Sequence, residues 1–119
     1  MSNQDDAQSV VDQLQALHDG LIQVWLKASN AGQYDLARTL NDEADRAGDQ
    51  LIDAQQSLLA AIDSGEDITN LLAKMAGLSA RIEVVRQQVA AGTAAAGEIS
   101  NVLDTVGQVV TLARTAAAA

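Results

Sequence analysis

Apolar side chains recur at alternating steps of three and four along this chain, and no proline interrupts them. The first stretch is Val10, Leu14, Leu17, Leu21, Val24 and Ala28. The second is Ala37, Leu40, Ala44, Ala47, Leu51, Ala54, Leu58 and Ala61. The third is Ile68, Leu71, Met75, Leu78, Ile82, Val85 and Val89. A mean step of 3.5 keeps one stripe of a helix against its neighbour, the condition for knobs-into-holes packing. Strands need a period of two, which no stretch shows. The pattern therefore predicts an all-α fold, an antiparallel helical bundle of three to four long helices.

Two breaks are marked. Ser29-Asn30-Ala31-Gly32 ends the first helix with residues that tolerate left-handed backbone. Ser64-Gly65-Glu66-Asp67 separates the second from the third, and Ser64 or Asp67 can cap the new helix. Such short connections make successive helices antiparallel. The segment 91–97 holds Gly92 and Gly97, each costing about 1 kcal/mol inside a helix. Yet Gly92, Ala96, Ile99, Leu103, Val106, Val110 and Ala113 continue the third stripe without a slip. Four helices, about 5–29, 33–63, 67–91 and 97–116, match one another in length within a single 1–119 domain, and this reading is preferred. The alternative is one long 67–116 helix whose excess length a second chain covers.

In the second helix Ala47, Ala54 and Ala61 form a file seven residues apart, and small side chains there let helix axes approach closely. Less area is buried per contact at about 25 cal/mol per Å², so a long contact or oligomerisation is expected to make up the difference.

The charge is lopsided. The formal net charge is −9, and residues 1–63 hold eleven of the 16 acids but only three of the seven bases. Such a field repels phosphate, so nucleic acid and anionic membrane are not expected partners; a basic protein surface is. No apolar run reaches the roughly 18 residues of a membrane span. The opening MSNQDDAQ has neither the cationic nor the apolar part of a signal peptide, which makes the cytoplasm the expected location.

Several apolar residues fall outside the main stripes: Ile22, Trp25 and Leu26 on the first helix, Ile52, Leu59 and Ile62 on the second, and Val102, Val109 and Leu112 on the last. A helix touching two neighbours has a wide apolar face that absorbs such residues. The other reading makes Ile22, Trp25, Leu26, Ile52 and Leu59 anchors for a partner chain. The outer line of the second helix, Asp35, Asp42, Asp49, Gln56 and Asp63 with Asp45 and Asp53 beside it, is either a solvated face or a strip that steers a basic partner. Asp42, Asp45, Asp49 and Asp53 are its candidate contacts.

Reactive groups are scarce. With no cysteine and one histidine, His18, thiolate chemistry and Cys-ligated metals are excluded. Di-iron Glu-x-x-His pairs and zinc ligand sets are not formed either. No glycine-rich phosphate loop and no G-x-S-x-G turn occurs. Asp45, Asp49 and Asp53 stand one turn apart on a straight helix, with no loop to wrap a cation. Phosphotransfer on His18 is disfavoured: Asp19 follows directly, no base lies within a turn, and Val11 and Trp25 flank it, so a packed histidine is expected. The expectation is thus a protein that is not an enzyme and needs no cofactor or metal. It would be an interaction module such as an adaptor, chaperone or immunity-type inhibitor. The alternative is a homo-oligomer whose assembly is the function.

Overall fold

The computed structural model describes residues 2–94 and 96–118, apart from the side chain of Ala96. Five helices follow one another, and no strand occurs among the described residues: α1 (Asn3–Asn30), α2 (Tyr34–Asp63), α3 (Thr69–Met75), α4 (Leu78–Ala91) and α5 (Ala96–Ala118). α1 packs on α2 and α4, while α5 packs on α2 and on the α3–α4 side. The result is a four-walled bundle, elongated at 51 × 24 × 18 Å, in which consecutive walls run antiparallel while α1 lies parallel to α4 and α2 parallel to α5.

Each wall follows from its sequence. Ser2 begins α1 with a reciprocal cap: its hydroxyl accepts from the Asp5 amide at 3.1 Å, and Asp5 accepts from the Ser2 amide. Two otherwise orphaned donors are satisfied in this way. α1 closes with the Gln33 amide donating back to the Ala28 carbonyl. Ser64 seals the end of α2 by donating to the Ala61 carbonyl, and Asp67 accepts from the amide and hydroxyl of Thr69 at the start of α3. Those two hydrogen bonds hold the Asp67 carboxyl below its ordinary range.

All three stripes face inward. Leu14, Leu17, Leu21, Leu58, Leu71, Leu78, Ile82 and Leu103 are fully buried in one continuous core, and Ala47, Ala54 and Ala61 lie in it with almost no exposure. Val102 and Val109 are equally buried, because α5 faces two walls and needs a wide apolar side. Ile22, Ile62 and Leu112 pack on the edge of the same core.

Two details differ from the spacing. The continuous 67–116 helix is not formed: α4 ends at Ala91, Gly92 adopts φ +75°, and the Thr93 amide donates to the Gln88 carbonyl. This is a Schellman-type closure, which glycine makes without a Cβ penalty. Of the expected turn at 91–97, Ala95 lies outside the described residues. The expected 67–91 helix is itself two helices, broken where Ala76 is extended and Gly77 takes φ +72°. Helix resumes after only two residues, so Met75 and Leu78 both reach the core and the numerical stripe runs through the break.

Candidate interaction surface

The pairing of α1 with α2 fixes what lies on their common outer face. Gln4 donates to Asp63 at 3.0 Å, and the His18 ring lies so close to Gly48 that a Cβ there would stand 3.2 Å from Nε2. These contacts set the register. The file Gln4, Val11, His18, Trp25 runs along Ile62, Gln55, Gly48, Asn41, each seven residues from the next. His18 is therefore a packing residue, half-buried against the α2 backbone. The Asp19 carboxylate comes within 3.4 Å of Nδ1 without forming a hydrogen bond, as expected for adjacent residues that diverge around a helix.

Outside that seam lie two files on α1 (Asp5, Asp12, Asp19, Leu26 and Gln8, Gln15, Ile22) and one on α2 (Arg38, Asp45, Ile52, Leu59). Ile52 is 53% exposed, Leu26 47% and Leu59 39%. Ile22 and Trp25 are half-buried. The structure thus brings Ile22, Trp25, Leu26, Asp45, Ile52 and Leu59 to one face. Helix rise puts about 28 Å between the levels of Leu59 and Leu26.

Asp42 and Asp49 are exposed on the crest of α2, the position that Asp12, Asp19 and Leu26 hold on α1. Asp53 is half-buried and turns toward α5, where Arg114 lies 3.9 Å away. Asp53 thus belongs to a second polar seam. There Arg46 pairs with Asp104 and reaches the Ser100 hydroxyl, and Gln50 donates to the Leu103 carbonyl at 2.9 Å. Gly107 makes room for that last bond: a Cβ on it would stand 3.3 Å from Gln50 Nε2. Glu43 lies in the same seam with one carboxylate oxygen buried and unpartnered. Burial raises its carboxyl above the ordinary range; the Arg46 guanidinium pulls the other way, and Asp104 and Asp42 push it further up.

Lys27 in the last turn of α1 and Arg38 near the start of α2 are the bases on the α1–α2 side; the other five stand elsewhere. Lys74, Arg81, Arg86 and Arg114 stand on α3, α4 and α5, Arg46 turns to α5, and Arg86 reaches Glu83 and the Gln13 side chain. Among the described residues, Asp12, Asp45 and Asp63 have no cationic side chain within ion-pair distance. Asp12 and Asp19 instead accept from Gln8 and Gln15 one turn earlier.

Three exposed apolar residues were not anticipated. Tyr34 opens α2, Leu36 lies at the mouth of a small apolar pocket with Val24, Leu40, Val89 and Ile99, and Val84 borders the α4–α5 groove. Val84 carried a signal, since it adjoins Val85 but lies off the stripe. The cleft beside the α3–α4 break, of about 500 Å³, is lined by Asp6, Ser9, Met75, Ser79 and Glu83 among others. No group of three His, Cys, Asp or Glu able to hold a metal occurs among the described residues, and no described helix is long and apolar enough to cross a membrane.

Fold and surface define an all-α helical bundle with an acidic, partly apolar outer face. No family model, curated protein or solved structure matches the chain.

Proposed function

We propose that this chain is a non-catalytic protein–protein interaction module that acts by covering part of its partner, as an adaptor, chaperone or immunity-type inhibitor does. One observation carries the reading. The core closes around α1–α5 without Leu26, Ile52 and Leu59, which stay exposed on a single face beside acids that no base neutralises. Exposed aliphatic side chains strung along one face, with a half-buried tryptophan at one end, resemble the anchors that dominate interfaces. Unpaired carboxylates around them would steer a basic partner and act mainly on the association rate.

The test uses the full chain as bait in lysate of its source cells, at low and high salt, with mass measurement of intact complexes. A stoichiometric partner held at low salt and weakened at high salt is expected. An Ile52→Ser/Leu59→Ser bait should lose it. Failure of the unaltered chain to retain any protein at stoichiometric yield would refute the proposal.

A further inference from the structure

We infer that the occupant of the α1–α2 face is a cationic amphipathic helix lying along the seam between the two helices. The inference rests on the interaction reading above and deepens it.

Geometry favours a helix. Both walls of the seam are helical, so their backbone amides and carbonyls are already paired and offer no edge to an extended strand. An extended segment laid there would leave its own backbone groups without partners, whereas a helix satisfies them internally. Apolar contacts are available on both sides: Ile22 and Leu26 from α1, Ile52 and Leu59 from α2. Ile52 and Leu59 stand seven residues apart, the repeat of an a/d stripe on a third helix packed against the pair. The roughly 28 Å between the outermost anchors corresponds to a partner helix of about 20 residues.

Charge fixes the sign. Antiparallel pairing sets Asp45 across the seam from Ile22, and Asp12 and Asp19 near the level of Ile52, so both of these apolar contacts have a carboxylate close by. Arg38 is the one base in these three files. A second copy of this chain would bring the same acids against themselves, since residues 1–63 hold eleven acids and three bases. Lysine or arginine on the flanks of the incoming apolar stripe removes that repulsion.

The probe is a synthetic peptide of about 20 residues made of Leu, Ala and Lys, with Leu at a and d positions, titrated into the full chain. Its control has the same composition in scrambled order. Trp25 is the only tryptophan and borders the seam, so its emission reports occupancy without a label. Saturable binding with a blue shift of Trp25 emission is expected. The affinity should fall about tenfold or more with the scrambled peptide and with the Ile52→Ser/Leu59→Ser variant. Both substitutions lie at exposed positions, and an unchanged thermal midpoint verifies that the variant is folded. An Asp12→Lys/Asp19→Lys variant should lose affinity at low salt and flatten the salt dependence. No binding, equal binding of the scrambled peptide, or undiminished binding by the apolar variant overturns the inference. So does a chain that is dimeric in sedimentation equilibrium and becomes monomeric in that variant, because a second copy then occupies the face. A lysate partner captured through Ile52 and Leu59, together with no peptide binding, would discard the helical occupant and leave the interaction reading standing.

Discussion

His18 rests on α2 where Gly48 has no side chain, and the contact gives that glycine a measurable sign. Alanine is favoured over glycine inside a helix by about 0.5–1 kcal/mol, but a Cβ at position 48 would meet Nε2 at 3.2 Å and Cδ2 at 3.3 Å. Gly48→Ala is expected to destabilise the protein by about 1 kcal/mol through overpacking. In a His18→Ala background the same substitution should stabilise, and urea titration of the four proteins reads the reversal. Glu43 supplies a second test. Its folded-state carboxyl is raised, so the folded protein holds that proton more tightly than the unfolded chain does. The cost of ionising it is therefore present above the raised value and disappears as pH falls through it. Glu43→Gln should unfold at higher urea than the unaltered protein at neutral pH, with the difference vanishing toward about pH 4. Neither contact was legible in the residues alone. Both depend on the register between two helices, which spacing within one helix does not contain; Gly48 and Glu43 read as ordinary members of an acidic helix.

At the scale of elements, stripes were legible and interruptions only in part. Val10 to Ala28 and Ala37 to Ala61 find the core because a 3.5-residue step specifies a face whatever the neighbour is. Ile52 and Leu59 were visible as residues off that face, and they remain outside it. The break at Gly77 was masked because helix resumes with its core residues still in step, whereas the two glycines of 91–97 marked the break at Gly92 even though the stripe runs on through it. Position 77 did carry a sign of helix ending: Lys74 lies in the last turn of α3, and a glycine follows, the usual order at a C-terminus. Nothing lies within 4 Å of a Cβ built on Gly77, so only its left-handed backbone opposes substitution. Gly77→Ala is expected to cost about 1–2 kcal/mol without altering the surrounding packing, measurable as a lower thermal midpoint with an unchanged helical signal. Small residues in α2 make the opposite case. Ala54 is 1% exposed between the walls, and Ala54→Leu should destabilise by about 1–3 kcal/mol as the facing helices are forced apart.

Across the whole molecule, the bundle is asymmetric in charge and in construction. The polar seam between α2 and α5 gathers Arg46 and Arg114, while the α1–α2 side keeps its acids uncovered. Composition already divided the charge between the halves of the chain; which carboxylates would stay unpaired required the arrangement of the walls. The construction differs as well. Three walls are single helices of 23 to 30 residues, whereas the fourth is jointed at Gly77, with only seven residues in its shorter limb. A limb of that length has no independent helical stability and depends on Leu71 and Met75 seated below it. Amide protons of α3 should accordingly exchange with solvent deuterium well ahead of those in α1 and α2, through opening that leaves the remaining walls assembled. Opening of α3 at Gly77 would widen the cleft of about 500 Å³ that lies beside the break, exposing Met75 and the Asp6 and Glu83 carboxylates on its walls to the same space.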